Sequence, residues 1–237
     1  CFVSWLLYMY TDRPRGPCWP PSPRAGLALL VASEKCLPSN TTCWPSQDEW
    51  DALSDSLTGS LLRPGGLIQT AWNDAIKLKN RRLDITPACA IMAETAEDAQ
   101  LAVKFAAAHN LVFSVKSTGH CYSGNCLAQD SLHLDVSGLS TIVEDDAVDT
   151  ITLGPGANFD GLYAEVDATG HQAVGGMCGT VGPVGFSLGG GHGPLIRQHG
   201  LGVDNIVSAK LVLADGSLVE VSEAAVATDP SLADLWW

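Results

Sequence analysis

The sequence is poor in charge, and above all in positive charge. Only 16% of its 237 residues are charged, and 13 Lys and Arg stand against 26 Asp and Glu, for a formal net charge of −13. A nucleic-acid partner needs a surface of Lys and Arg to neutralise its phosphates, so this composition argues against one. The same shortage argues against attraction to anionic lipid. The acidic balance otherwise reports solubility and does not identify a function.

The sequence also lacks an apolar run long enough to span a bilayer. Residues 24–33 (RAGLALLVAS) join a basic residue, a short apolar run and small residues, which is the pattern of a cleavable signal peptide. Residues 1–23 begin without Met and turn proline-rich, which is typical of a partial gene model or of a disordered tail. We therefore expect a leader over 1–33, an N-terminal extension over 34–85 and the main domain over 86–237.

Paired cysteine motifs are missing as well. Eight Cys are present, but none of them form a C-x-x-C pair. His120, Cys121 and Cys126 leave a zinc site open, although their spacing matches no usual one. Eight Cys in a chain with few charges favour an oxidising compartment, and the glycosylation sequon at Asn40 agrees. We therefore expect a secreted or extracytoplasmic protein.

Helix and strand patterns alternate along the chain, with no internal repeat. Helices are predicted over 46–57, 95–109 and 159–168, and Ser46 and Glu49 form a capping box at the first. Apolar residues of the second helix form one stripe: Ala99, Ala102, Val103 and Ala106. Strands are predicted over 111–116, 132–136 and 150–153, and a hairpin over 207–221 turns at 214–217. This alternation favours an α/β or α+β layer architecture.

Two glycine-containing loops interrupt this pattern. The first covers 117–124 (STGHCYSG) and follows a predicted strand, and the second covers 175–193 (GGMCGTVGPVGFSLGGGHG). Backbone N–H groups that small residues expose in such turns can bind phosphate oxygens. Neither loop is a Rossmann fingerprint, because Pro194 stands where the third glycine is needed, and no Walker lysine is present. A nucleotide would therefore be bound by another fold.

Each loop carries one residue with reactive chemistry, His120 in the first and Cys178 in the second. A histidine in a turn is commonly only solvated, and a cysteine is commonly a small apolar side chain. A nucleophilic pair of Cys178 with some histidine is also open. That pair would leave the GGGHG run at 189–193 unexplained.

The two loops and their surroundings resemble the p-cresol methylhydroxylase-type FAD-binding domain of the vanillyl-alcohol oxidase superfamily, and within it the berberine-bridge-enzyme-like oxidases. The motifs that carry the resemblance are STGH at 117–120, LHLDVSGL at 132–139, GMCGTVGPVGFSLGGGHG at 176–193, VDNIVSAKLVLADG at 203–216 and DLWW at 234–237. The resemblance spans 87–237. It implies an α+β domain of two subdomains that lacks its C-terminal part and the substrate domain.

The resemblance implies FAD as the cofactor, held by two covalent bonds. His120 takes the position that is bonded to the flavin 8α-methyl carbon, and Cys178 takes the position that is bonded to C6. Both residue types attack in deprotonated form, as imidazole and as thiolate. The implied cofactor-binding residues are Ser117, Thr118, Gly119, His120, Cys121, Cys178, Val181, Gly182, Gly185, Ser187, Gly189, Gly190 and Gly191. Thr118 replaces the family's commoner glycine, which is tolerable if its φ stays negative.

The implied activity is an oxidase that transfers hydride from an alcohol or carbohydrate-like substrate to flavin N5, with O2 as acceptor. In the resembling family the position of Val181 acts as a gate for O2, although a plain core valine explains that residue equally well. The catalytic base is expected beyond residue 237. The alternatives are a dehydrogenase, an oxidative cyclase or a non-catalytic flavin-binding fragment. With Cys178 assigned to flavin, we expect Cys36 or Cys43 to pair with Cys89.

Overall fold

The computed structural model describes residues 34–145, 147 and 149–236, together with the backbone of 2–7. The signal peptide expected at 24–33 lies outside the described residues. Two sheets organise the chain, and helices pack against both. This is the α+β, two-subdomain arrangement that the resemblance implied. Within the described part, every helix is too short or too polar to cross a bilayer.

The first sheet has four strands in the order β2-β3-β5-β4. They are β2 (Ser60–Leu62), β3 (Cys89–Met92), β4 (Phe113–Lys116) and β5 (Leu132–Asp135). Strands β3, β4 and β5 run parallel, and β2 pairs antiparallel with β3. Three helices accompany this sheet: α1 (Gln47–Ser56), α2 (Gln69–Ala75) and α3 (Ala96–Ala108). The carboxyl ends of β4 and β5 therefore lie side by side.

The second sheet has five strands in the order β6-β7-β1-β8-β9. They are β1 (Phe2–Leu7), β6 (Ile142–Asp145), β7 (Thr150–Leu153), β8 (Ile206–Val212) and β9 (Leu218–Ser222). Strands β8 and β9 form the hairpin predicted over 207–221. The helices of this part are α4 (Phe159–Thr169), α5 (Pro183–Leu188), α6 (Ile196–His199), α7 (Glu223–Thr228) and α8 (Ala233–Trp236), with short 3₁₀ turns at Val203–Asn205 and Pro230–Leu232.

The predicted cap of α1 is confirmed, and α3 has a cap of the same kind. Ser46 and Glu49 form the capping box of α1, and Thr95 and Asp98 form a second one on α3. The apolar stripe of α3 is buried in the core of the four-stranded sheet. Asp98 also accepts backbone N–H bonds from Thr58 and Gly59, just before β2. Burial opposes ionisation of Asp98, but its bonds from the backbone N–H groups of Glu94, Thr58, Thr95 and Gly59 together outweigh burial and lower the pKa of its carboxyl.

The expected disulfide to Cys89 is wrong. Cys36 is bonded to Cys43, with a Cα–Cα distance of 5.9 Å, and Cys89 is a buried free thiol. Cys36 and Cys89 do belong to one core cluster. A turn at Asn40, whose carbonyl accepts the N–H of Cys43 at 3.3 Å, places Cys43 next to Cys36, only seven residues away in sequence. The N-terminal extension is tied down by a β-bridge from Cys36 to Leu111 instead of a covalent bond to β3.

A buried polar cluster occupies the middle of the four-stranded sheet. Ser114 Oγ lies 2.9 Å from His133 Nδ1, and the imidazole is fully buried. Burial removes water from the charged imidazolium, and the nearby Lys116 ammonium repels it, so the pKa of His133 falls to about 3. His133 is therefore neutral in the folded protein at any pH at which the fold is expected to be stable.

We predict that His133 makes the fold sensitive to mild acid. Its pKa is depressed in the folded state, so its contribution to stability is present above the unfolded pKa of about 6.5 and is lost as pH falls towards 3. The loss reaches at most about 1.4 kcal/mol per pH unit, which is about 2 kcal/mol between pH 7 and pH 5. Urea unfolding at both pH values measures it.

In the same experiment His133→Gln is expected to flatten the pH dependence, while His199→Gln on the exposed end of α6 is expected to leave it unchanged. An equal pH dependence in wild type and His133→Gln would contradict the assignment.

Candidate functional site

The first loop leaves the four-stranded sheet at a buried ion pair. Lys116 ends β4, and its Nζ lies 2.8 Å from Oδ2 of Asp135 at the end of β5, with both side chains almost fully buried. Removing one partner of such a pair costs about 3–5 kcal/mol, because the other charge is left alone in a low dielectric. Gly119 follows with φ +78°, and a Cβ there would lie 2.8 Å from the carbonyl oxygen of Lys77. The backbone conformation at the start of the loop is therefore tightly restricted.

The second loop is held by the N-terminus of α4. The first two N–H groups of that helix donate to the second loop, from Phe159 to the carbonyl of Val181 at 3.0 Å and from Asp160 to that of Gly179 at 2.8 Å. These are donors that a helix leaves unpaired in its first turn. Gly179 has no space for a side chain, because a Cβ would collide with the carboxylate of Asp160. Tyr163 on the same helix donates to the carbonyl of Gly176 at 2.6 Å.

Direct hydrogen bonds join the two loops. Thr118 Oγ1 accepts the N–H of Gly182 at 3.1 Å, and a Cβ on Gly182 would lie 3.0 Å from Ser117 Oγ. Ser117 donates in turn to the carbonyl of Pro155 at 2.5 Å. Thr118 does not have a positive φ, so its replacement of the family's commoner glycine is accommodated. Its hydroxyl makes a contact between the loops that glycine could not make.

His120 and Cys178 converge on a single hydroxyl. His120 Nε2 lies 2.8 Å from Thr180 Oγ1, and Cys178 Sγ lies 3.7 Å from the same oxygen. Cys178 is free and exposed, and His120 is partly exposed. Partial burial and the positive charge of Lys79 lower the pKa of His120, which favours neutral imidazole. Two nucleophiles therefore share one site, and both are accessible.

The glycines of the second loop fall into two groups. Gly182 and Gly191 are required by packing within the chain, since a Cβ on Gly191 would lie 2.7 Å from the Cα of Gly202. A Cβ on Gly185 would meet nothing within 4 Å, and Gly190 has φ +91° with open space around it except for one contact at 3.8 Å. The backbone at Gly185 and Gly190 is therefore open to a ligand.

The other predicted site residues lie along the same two loops. Val181 is half-buried against the cluster that contains Phe159, and the carbonyl of Ser187 accepts the N–H of Gly190 at 2.9 Å. Gly189 is exposed, and its nearest contact for a Cβ is a carbonyl at 3.5 Å. The side chain next to His120 is bound elsewhere, because Cys121 forms a disulfide with Cys126.

The disulfide at Cys121 removes the zinc alternative. Zinc binds cysteine as thiolate, and neither Cys121 nor Cys126 has a thiolate to offer once the two sulfurs are joined. Only His120 remains of the three ligands that the sequence suggested.

Thr180 was not singled out from the sequence. It stands two residues after Cys178 in the CGTVG segment, and a single threonine in a turn does not by itself predict a role. Its contact with His120 joins residues 60 positions apart, so only the folded chain reveals it.

The groups that this site presents fit the chemistry of a flavin cofactor. An imidazole with a lowered pKa, a free thiol, and open backbone at Gly185 in α5 and at Gly190 lie on these two segments, and the exposed side chains of Tyr122 and Met177 lie next to the two reactive residues in sequence. Loop backbone suits the phosphates, and the two nucleophiles suit an electrophilic ring.

Several known proteins are similar to this chain. Residues 87–222 match the family described as "FAD binding domain". A VAO-type flavoprotein oxidase of Thermothelomyces thermophilus is 36% identical over 159 residues, which cover 64% of this chain and 27% of that protein. Aurantioclavine synthase of Penicillium expansum is 41% identical over 150 residues, which cover 58% of this chain and 31% of that protein. The glucooligosaccharide oxidase of Acremonium strictum is 27% identical with a TM-score of 0.70, and the match covers 79% of this chain and 38% of that one.

The chain spans less than half the length of the curated relatives it matches, for example 44% of an FAD-linked oxidoreductase of Gibberella zeae.

The contrast between the two free cysteines of the described part gives a direct test. Burial raises the pKa of the Cys89 thiol to about 12, so that thiol stays protonated and shielded at pH 8. In protein prepared without flavin, we expect iodoacetamide to alkylate Cys178 in the native state and Cys89 only after unfolding. Peptide mapping under non-reducing conditions is expected to show the pairs Cys36–Cys43 and Cys121–Cys126. Native-state labelling of Cys89, or a Cys36–Cys89 peptide, would contradict this assignment.

Proposed function

We propose, since the chain belongs to the FAD binding domain family, that it is the flavin-binding part of an FAD-linked oxidase with a doubly attached flavin. The observation that carries the proposal is the convergence of the His120 imidazole and the Cys178 thiol on one hydroxyl between two loops. The related glucooligosaccharide oxidase is described with a "6-s-cysteinyl, 8 alpha-N1-histidyl FAD". One histidine and one cysteine are the residue types that such a cofactor requires.

In this proposal each loop has its own task towards the cofactor. His120 would hold the 8α position and Cys178 the C6 position of the ring. Residues 117–120 would lie at the pyrophosphate, and the open backbone at Gly185, Gly189 and Gly190 would lie along the cofactor. The bound flavin supplies a hydride acceptor at N5. The chain itself supplies placement, since the first loop is fixed at Lys116 and the second loop at α4.

The substrate class follows from the relatives and from the side of the site that stays open. Tyr122, two residues after His120, is 68% exposed, and Met177, directly before Cys178, is 89% exposed. These side chains suit the face at which substrate approaches the ring. With oxidases of oligosaccharides among the similar structures, we propose an alcohol or carbohydrate-like substrate and O2 as the acceptor.

A secreted location is part of the same proposal. The described part of the chain holds two disulfides, and such bonds persist in oxidising compartments. Asn40 is exposed within the loop that Cys36 and Cys43 close, where a glycan would meet no obstruction.

A second candidate is an oxidative cyclase on the same flavin domain. Its support is the 41% identity to aurantioclavine synthase. Both candidates use the same flavin attachment, so they differ in the substrate and in how fast the reduced flavin reacts with O2.

The double attachment predicts that flavin stays with the complete protein in acid. We expect the acid precipitate of wild type to be yellow, His120→Ala and Cys178→Ala each to keep one covalent bond, and the double variant to release FAD. Absorption spectra of pellet and supernatant, with masses of the flavin peptides, measure this. His199→Ala is the matched control and should keep both bonds. A colourless wild-type precipitate would reject the proposal.

Val181 predicts how quickly reduced flavin meets O2. Val181 is half-buried between the proposed flavin loop and the Phe159 cluster, so one added methylene changes a tightly packed wall. We expect the photoreduced flavin of the complete protein to reoxidise several-fold more slowly in Val181→Leu than in wild type, as measured by stopped-flow absorbance in oxygenated buffer. Val184→Leu, which alters a buried valine of α5, is the control for general repacking. If wild type reoxidises no faster than Val181→Leu, O2 is not admitted at this position.

A further inference from the structure

The hydroxyl of Thr180 lies within hydrogen-bond distance of both proposed attachment residues. Its distances are 2.8 Å to His120 Nε2 and 3.7 Å to Cys178 Sγ. The longer distance is ordinary for a hydrogen bond to sulfur. A threonine hydroxyl has one proton to donate and two lone pairs with which to accept. It can therefore donate a hydrogen bond to one neighbour while it accepts one from the other.

We propose that Thr180 is the positioning residue for flavin attachment: its hydroxyl donates to the sulfur of Cys178 and accepts the Nε2–H of His120, which leaves the lone pair on Nδ1 of His120 free. This inference rests on the proposed function and adds the residue that prepares its two nucleophiles. Each attachment would replace a C–H bond of the flavin by a C–N or C–S bond, with the protons released to solvent and the electron pair left on the flavin, from which O2, the acceptor of the proposed function, would remove it.

The direction of the hydrogen bonds follows from the chemistry of sulfur. A thiolate has no proton, so Thr180 must be the donor to Cys178 whenever Cys178 is ready to attack. Having given its proton to sulfur, the Thr180 oxygen can only accept from His120. Nε2 then carries the proton, and Nδ1 carries the lone pair. In the opposite arrangement the thiol donates to Thr180, Thr180 donates to Nε2, and the proton sits on Nδ1, so neither residue is a nucleophile.

The surrounding turn keeps the Thr180 hydroxyl in place. The carbonyls on both sides of it, at Gly179 and Val181, are held by the first N–H groups of α4. The N–H of Val181 also donates to the carbonyl of Cys178 at 3.0 Å. Threonine is branched at Cβ, which restricts its χ1 further. Because the backbone on both sides of Thr180 is held, its hydroxyl keeps one position, from which it can favour one tautomer of His120.

The charge state of His120 agrees with this role. Partial burial and Lys79 lower the pKa of its imidazole, which favours the neutral ring, and a neutral ring has one of two tautomers. A protonated ring would have no free lone pair, and Thr180 would have nothing to select.

The test compares three variants of the complete protein: Thr180→Val, which keeps the shape and removes the hydroxyl, Thr180→Ser, which keeps the hydroxyl, and Thr152→Val, a control on the exposed face of β7. A riboflavin-starved host that produces each protein receives riboflavin, and samples are taken over hours. Acid precipitation and peptide masses then give the fraction of flavin bonded to His120 and to Cys178 separately.

We expect Thr180→Val to attach flavin to His120 about fivefold more slowly, which is the size that one neutral hydrogen bond supplies. Attachment to Cys178 is expected to slow as well, Thr180→Ser is expected to recover most of the rate, and Thr152→Val is expected to match wild type. Equal rates in Thr180→Val and wild type would overturn the role of Thr180 while leaving the proposed function intact. A wild type without covalent flavin would overturn the proposed function itself.

A second measurement covers a Thr180→Val protein that does not fold. The ¹⁵N spectrum of His120 in wild-type protein from the starved host reports which ring nitrogen carries the proton. We expect the proton on Nε2, and a proton on Nδ1 would overturn the proposal. A Cys178→Ala background shows whether the tautomer depends on the sulfur, and the selection by Thr180 predicts that the Nε2–H population falls there.

Discussion

The buried ion pair between Lys116 and Asp135 is the constraint from which the site is built. It joins the ends of two parallel strands, β4 and β5, at the point where the first loop begins. Two charges in a dry sheet tolerate little movement, because separating them leaves each charge buried without the opposite charge and without water. The loop that carries His120 therefore starts from a fixed position and a fixed direction.

The second loop meets the first because an independent element delivers it. The N-terminus of α4 binds the carbonyls around Thr180, and Gly179 is compressed against that helix. The bond from Gly182 to Thr118 and the bond from His120 to Thr180 then close the gap between the loops. Each loop carries only one of the two reactive residues, so both loops are needed to bring the pair together. Flavin attachment at two points would use this convergence as its geometry.

Much of the fold follows from local sequence, and so do the loops. Capped helices such as α1 and α3 and the hairpin of β8 and β9 are specified by residues a few positions apart. Several elements were not predicted, among them β2, α2 and β6. Strand β2 has three residues and follows backbone N–H groups that are bonded to Asp98, and α2 has no side-chain cap at its start. Their stability comes from partners distant in sequence, which local patterns do not contain.

The sequence by itself determined that His120 and Cys178 stand in two glycine-containing loops, and the resemblance of those loops to a known family suggested both residues for flavin attachment. Only the tertiary structure decided which cysteines pair and what lies between the two reactive residues. Cys36 and Cys89 share a core, yet a local turn gives the disulfide to Cys43. Thr180 reaches His120 only across a fold that brings positions 60 apart within one hydrogen bond. Contacts of that kind depend on the whole packed chain, and no short segment specifies them.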